Sequence, residues 1–509
     1  MINKNKIAIT IVGGGTAGWL TAAILAKGLD KQKYTITVIE SPDIPTIGVG
    51  EATIPTIIQL FDYLGLPEAD VLSKIEGTYK YGIHFENWSQ IGDQYMHAFG
   101  QVGTPLENIS FMDIWLNFAE ELQLNNLNSF SPTAVAAYNN RFSRSAQPKQ
   151  LQPNCYYPLS VLHYAFQFDA GLLAKILQEF AVEQGAIWVQ DTVEQVNLAV
   201  KGDIESVKLA SGKNNHADIF VDCSGTRGLL NKQALKGHFE EWKSFLPCDT
   251  AIAVQTSIDE PVLPYTKSIA MNSGWRWQIP LRKRMGNGYV FSSEFIGADK
   301  AELEFMQSLE LPTINTPRTI KFQTGCLDKP WDRNSVAIGL SAGFLEPLES
   351  TSIHLIYKYA INLKNAFVYG KKVEEEADLF NTEYKQDCLE IRDFLIAHYH
   401  LTDREDSAFW RYCKNMSIPD SLNEKLRQFK QTGHIQLKQG SLFAFESWAQ
   451  LLVGQKYLKS YKQFNNPIKV NGQVVTTEQA HAFLSRVHHA IQQEIIKLPS
   501  HTDFIKSGY

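Results

Sequence analysis

Three sets of residues in this chain have types and spacings that could do chemistry. The first is Gly13-x-Gly15-x-x-Gly18, directly after the apolar run Lys6 to Val12. Glycines at this spacing permit a tight turn at Gly13, a close backbone approach to a pyrophosphate at Gly15 and close strand–helix packing at Gly18. The N–H groups of Thr16 and Ala17 then open a helix toward phosphate. The second is Lys80, flanked by Tyr79 and Tyr81. Desolvated by such neighbours, a lysine has a lowered pKa and can serve as donor or nucleophile. Taken by itself, however, Tyr79 to Phe85 reads first as an exposed edge strand with a solvated lysine. The third is Glu346-Pro347-Leu348-Glu349-Ser350-Thr351-Ser352. Pro347 favours a turn, and Ser350 to Ser352 start a helix carrying Ile353, Ile356, Ala360, Leu363 and Ala366. N–H groups at that start can hold a small anion; the alternative is an ordinary capped helix with solvated glutamates.

The elements around these sets must position them. Tyr34 to Ile39 reads as a second strand ending in Glu40, 27 residues beyond Gly13. Its carboxylate would accept from a ribose hydroxyl or stand solvated at a strand end. Gly48, Gly50, Ala52 and Thr53 form a second loop before the periodic segment Ile57, Leu60, Phe61, Leu64, and are assigned with Glu40 to the cofactor. Residues 93–155 read as long loops with short helices, of the kind that make a lid or pocket wall. A helix over Leu172–Gln184 is followed by strands near Ala186–Val189 and Ile204–Leu209. The strand Ala217 to Asp222 returns toward the nucleotide, where Asp222 either contacts it or caps a turn; Gly339, after the strand Ser335 to Ile338, is placed there too.

Strands near Ala251–Val254, Trp275–Pro280 and Gly288–Phe295 predict a mixed sheet walling off a second site. Alternation puts Trp275, Trp277 and Ile279 on one face, before Pro280. That face either packs into the core or separates two compartments. Helices over Asn381–Tyr399 and Thr476–Ile496 make the C-terminal part mainly helical. His398, His400, His488 and His489 have no metal-ligand spacing and read as surface or packing residues.

Composition excludes several classes. Forty-eight basic against 54 acidic residues, with no basic tail, argue against nucleic acid. No run of about eighteen apolar residues predicts a membrane span. Six scattered cysteines without a CxxC pair predict neither a disulfide framework nor a zinc site, and no leader segment is recognisable, so a cytoplasmic protein is expected.

With these residues together, the chain resembles the flavin-dependent tryptophan halogenases. Gly13-x-Gly15-x-x-Gly18 followed by Trp19 is shared with many flavoproteins, Trp275-x-Trp277-x-Ile279-Pro280 resembles the family's distinguishing signature, and Glu346 to Thr351 its substrate and halide segment. The resemblance runs through nearly the whole chain. It implies an α/β fold of the FAD-binding, Rossmann-like, three-layer flavin-monooxygenase type, with a mixed-sheet substrate region and a helical C-terminal part. Residues 1–370 would form the FAD module with inserted substrate and lid segments, and 371–509 a helical region over the substrate site.

The resemblance further implies FAD used as FADH2, with O2 and chloride or bromide, to halogenate an indole-type ring (tryptophan, free indole or a related aromatic) through hypohalous acid. Lys80 and Glu349 would be catalytic. Thr351 and Ser352 would bind halide, although the family usually has glycine at the position of Ser352. His97, Phe99, Ser350 and Trp448 would line the substrate side, and Trp275 to Pro280 the barrier. A separate NAD(P)H-dependent flavin reductase is expected, since no second nucleotide fingerprint is evident, and homodimerisation is a family expectation. An aromatic hydroxylase using the same cofactor is the alternative, needing neither Lys80 nor the Trp275–Pro280 motif.

Overall fold

The structure is a computed structural model that describes residues 6–43, 50–147, 155–370, 372–461, 464 and 467–507. Apolar β-branched residues in Ile7–Val12 and Tyr34–Glu40 favour strand, and the two pair in parallel at the centre of a six-stranded sheet. Its order is Trp331–Asp332, Ser335–Ala337, Ile219–Asp222, Ile7–Val12, Tyr34–Glu40, Ile187–Gln190, parallel throughout except for the first short strand. The helix Thr16–Gly28 is buried along almost its whole length, Gly18 through Ala26. Its small and apolar residues suit that position: it lies against the sheet and against helices Ala170–Glu183 and Ser352–Tyr369. The opposite face of the sheet, through Val12, Ile39 and Phe220, is covered by Ile204, Val207 and Leu209 of a small antiparallel sheet. The result is the three-layer α/β arrangement expected.

The mixed sheet is also present. Seven strands run in the order Arg318–Lys321, Thr250–Thr256, Met285–Phe291, Gly274–Pro280, Thr266–Met271, Gly82–Glu86, Gln94–Ala98, antiparallel except where Gly82–Glu86 joins Thr266–Met271. A three-stranded sheet, Gly50–Ala52, Ala165–Asp169 and Thr78–Lys80, bridges the two halves. Residues 93–155 hold the short helices expected, Phe111–Phe118 and Pro132–Tyr138, and in addition the strand Gln94–Ala98.

The C-terminal region is helical, with Val373–His400 the longest element and Thr477–Ile495 opened by a capping box of Thr476 and Gln479. Gln450, on the helix Phe445–Gly454, exchanges two side-chain hydrogen bonds with the backbone of Ala98, at 3.0 and 3.1 Å. This docks the C-terminal helices on the edge of the mixed sheet. Among the described residues no helix is long and apolar enough to cross a membrane.

Candidate active site

The glycine turn has the geometry its spacing predicts. Gly13 takes φ +116°, and a Cβ there would lie 2.2 Å from the carbonyl oxygen of Cys223; one at Gly18 would lie 1.8 Å from that of Gly13. Gly15 differs. A Cβ on it would meet nothing within 4 Å, and its φ of −78° is open to any residue. No side chain caps the helix start at Gly15, so the N–H groups of Thr16 and Ala17 face that open space. This cradle fits a pyrophosphate. Gly15→Ala should therefore fold with unchanged Tm yet lose FAD, whereas Gly18→Ala should be destabilised by several kcal/mol. Thermal melts and flavin absorbance after reconstitution check both.

The other proposed cofactor residues divide. Glu40 is not a solvated strand end: its side chain lies against Gly14, and its carboxylate accepts from Trp19 Nε1 at 3.4 Å and Gln178 Nε2 at 3.2 Å. Gly339, at φ +79°, packs against Ala17, where a Cβ would come within 2.8 Å of the alanine's own. Two others have their side chains engaged within the protein. Asp222 spends both carboxylate oxygens on Ser224 and on the N–H groups of Leu230 and Asn231, the turn-capping alternative of its sequence reading. Thr53 is buried with its hydroxyl tied to the backbone of Phe166. Gly50 and Ala52 pack on Ile279 beneath the mixed sheet, and Gly48 lies outside the described residues.

Lys80 is the largest departure from the reading of its own stretch: it is on an edge strand, yet 0 % exposed. The backbone continues through Tyr81 into Gly82–Glu86, whose antiparallel partner carries His97 opposite Ile83, and Phe99 N–H donates to the Tyr81 carbonyl at 2.8 Å. A Cβ at Gly82 would strike the His97 carbonyl at 2.4 Å. One hairpin thus gathers Lys80, His97 and Phe99. Lys80 Nζ donates to Ser350 Oγ at 2.8 Å and sits 5.4 Å from the centre of the Phe99 ring. Burial pulls its pKa down to about 7, opposed by the carboxylates of Glu349 and Glu51.

Glu349 closes the 3-10 turn Pro347–Glu349 and is 1 % exposed. His97 Nδ1 stands 2.8 Å from its Oε2. His398 Nε2 is 2.8 Å from Oε1 but out of line for a straight hydrogen bond. Burial alone would raise this carboxyl; the two histidines overcome it and hold it at about 2. Ser350, linking Glu349 to Lys80, is held at φ +58°, a strained conformation for a residue other than glycine. Thr351 precedes the 18-residue helix Ser352–Tyr369, and its buried hydroxyl has no partner among the described residues. A buried hydroxyl beside free helix N–H groups is a place for an anion.

The aromatic motif faces both halves. Trp275 donates to Glu346 Oε2 at 3.2 Å, Trp277 lies across Gly288, and Ile279 meets Ala52, while the carbonyl of Pro280 takes the hydroxyl of Thr78 at 2.7 Å. Trp448 is buried edge-on to Phe394, which also packs on His97.

Of the surface or packing roles expected for His398 the structure shows the second: this histidine is wholly buried, stacked on Phe85 beside Glu349, with Nδ1 3.0 Å from the Tyr95 hydroxyl. The signal for it is the spacing Ile391, Phe394, Leu395, His398, one inward stripe of a helix. Sequence reasoning names Glu346 only within its motif and gives Glu51 no role; both are buried carboxyls whose burial raises each pKa to about 7.

A family model described as Tryptophan halogenase matches residues 8–467. Tryptophan 7-halogenase RebH of Lentzea aerocolonigenes is 37% identical over 443 residues, covering 83% of this chain and 81% of the relative. Tryptophan 6-halogenase ThaL of Streptomyces albogriseolus is 35% identical over 450 residues, covering 84% and 83%. Among solved structures, the flavin-dependent halogenase Xcc4156 of Xanthomonas campestris has a TM-score of 0.91 at 34% identity, covering 99% of this chain and 98% of that one. The flavin-dependent halogenase BrvH of Brevundimonas sp. BAL3 has a TM-score of 0.90 at 34% identity, covering 99% of each.

Proposed function

This chain belongs to the tryptophan halogenase family of flavin-dependent enzymes, and from that premise we propose that it halogenates an indole-type ring with chloride or bromide. The observation that carries the proposal is the buried set Lys80–Ser350–Glu349, with an amine at about 7 and a carboxylate at about 2 linked through one serine. When bound in the Gly15 cradle, reduced FAD with O2 supplies the oxidation of halide to hypohalous acid. A flavin reductase is the expected source of electrons. The family assignment goes against the hydroxylase alternative.

The chain's own residues then have distinct tasks. The hydroxyl and N–H groups at Thr351 and Ser352 hold the halide; the serine in the usual glycine position retains its N–H. Trp275, Trp277 and Ile279 keep the ring substrate away from the flavin. Lys80 holds hypohalous acid by hydrogen bonding and polarises it, and the ring takes the halogen as its bond to oxygen breaks, releasing hydroxide that is protonated to water. Glu349, an anion aimed at the cationic ring, stabilises it and accepts the ring proton. His97, Phe99 and Trp448 line the ring slot.

A mass-spectrometric assay tests the reading. Protein with FAD, a flavin reductase, NADH and air should yield a product one halogen heavier, with its isotope pattern, from an indole substrate and chloride or bromide. Hydroxylated product alone, or none across a wide aromatic panel despite FAD reduction, overturns it. Thr351→Val should raise the halide KM about tenfold, as the loss of one hydrogen bond to an ion implies, with the indole KM unchanged. Steady-state kinetics against halide concentration check this.

A further inference from the structure

Gln167 is fully buried in the middle of the three-stranded sheet, where Ala165–Asp169 runs between Gly50–Ala52 and Thr78–Lys80. It pairs with Ala52 on one side and Thr78 on the other. Its side-chain amide donates from Nε2 to Thr78 Oγ1 and to the Tyr79 carbonyl, each at 3.2 Å. These two contacts fix which way the amide is turned. A backbone carbonyl can only accept, and the Thr78 hydroxyl spends its hydrogen on the Pro280 carbonyl at 2.7 Å. The nitrogen must therefore face both, and Oε1 is left as a buried acceptor with no partner among the described residues. Leaving such an oxygen unmet costs about 1–3 kcal/mol, so it calls for a guest that donates.

That oxygen belongs to the face of the sheet that carries the lysine. Thr78 and Lys80 are two residues apart in one strand and share a face, and the bond from Gln167 Nε2 to Thr78 Oγ1 puts Gln167 on that face as well. Lys80 pairs with Ala165, which makes Gln167 its diagonal neighbour across the strands, a separation that long side chains span. The barrier motif covers the same face, with Pro280 on Thr78 and Ile279 on Ala52. Gln167 thus lies where the barrier meets the strand of Lys80.

Hypohalous acid brings an acceptor and a donor into this dry site, and both need partners. Its oxygen can accept from the Lys80 ammonium, which has hydrogens beyond the one given to Ser350. Its O–H cannot be taken by an ammonium, which has no lone pair. We propose that Gln167 is a further catalytic residue: its Oε1 accepts the O–H of hypohalous acid while Lys80 donates to the oxygen, so that the reagent is held by its oxygen alone and the halogen stays free for the ring. Holding it in this way makes and breaks no covalent bond. The inference rests on the halogenase reading, since it names a second partner for the reagent of that reaction.

The test supplies the FAD-loaded protein with a flavin reductase, NADH, air, bromide and indole, together with an excess of monochlorodimedone, a diketone that consumes hypohalous acid released to solution. The ratio of bromine on indole to bromine on the diketone reads how well the reagent is held. Gln167→Met, similar in length but without the carbonyl, should lower that ratio at least tenfold. Gln167→His, which keeps one N–H for the Tyr79 carbonyl and one lone pair, should stay within threefold of the wild type. Because the ratio is taken within one preparation, partial unfolding of a variant does not move it. An unmoved ratio in the methionine variant, or a histidine variant as low as the methionine one, overturns the role of Gln167 and leaves the halogenase reading standing. No bromine on either acceptor with the wild-type protein, despite FAD reduction, overturns the halogenase reading and the inference with it.

Discussion

Lys80→Met is expected to abolish halogenated product, leave FAD bound and raise the melting temperature. The first outcome follows because no other side chain at the site donates to hypohalous acid in the proposed reaction. The third follows from burial. The amine titrates at about 7 in the folded protein against an ordinary 10.5, so the unfolded chain holds this proton more tightly. The resulting destabilisation sets in as pH falls below 10.5, grows until about 7 and is then constant. At neutral pH it is on the order of 4 kcal/mol. Methionine fills the same buried space beside the Phe99 ring and carries no charge. Mass spectrometry and a melt at pH 7 check the pair; residual product above about one part in a thousand, or a lowered Tm, contradicts it.

The same titration gives the wild-type enzyme a pH signature. The ammonium is the donor form, so kcat should fall as pH rises through about 7. A rate that instead rises through 7 assigns the neutral amine, and with it a haloamine route. The experiment needs a single-turnover halogenation assay, so that flavin reduction does not mask the step.

Glu349→Gln has the second largest effect: kcat should fall by about 10²–10³, the span of a lost general base together with its charge. The halide KM and FAD binding should not change, because the glutamine side chain would touch neither the Gly15 cradle nor the hydroxyl of Thr351. Since the two histidines hold the wild-type carboxyl at about 2, it is ionised throughout the working range, and protonation of Glu349 should give no rate loss between pH 5 and 9. Quenched-flow product measurements against pH separate the cases. Full turnover by the glutamine variant removes the base role, and an acid limb near pH 5 that the variant lacks contradicts the electrostatics.

Much of this protein was determined by local sequence. The cradle at Gly13, Gly15 and Gly18 was legible because its demands are local: a positive φ, a carbonyl 1.8 Å from an imagined methyl, and an uncapped helix start all arise within six residues. The strands Ile7–Val12 and Tyr34–Glu40 and the helix from Ser352 were legible for the same reason, through periodicity and the residues that start and stop them. Lys80, Glu349, Thr351 and the Trp275–Pro280 motif could be named from family resemblance.

What the tertiary structure alone decided is the state of those groups. Lys80 lies on an edge strand, and from the sequence an edge lysine is solvated; its ammonium is buried against Ser350 and the Phe99 ring, while the N–H groups of Tyr79 and Tyr81 are taken by His501, 422 residues from Tyr79, and by the carbonyl of Pro264. The carboxylate of Glu349 is fixed by His97 on the mixed sheet and His398 on a C-terminal helix, and Asp222 is claimed by its own turn. Desolvation and pairing are sums over every neighbour in space, and a pattern read along the chain contains only the neighbours that are near in sequence.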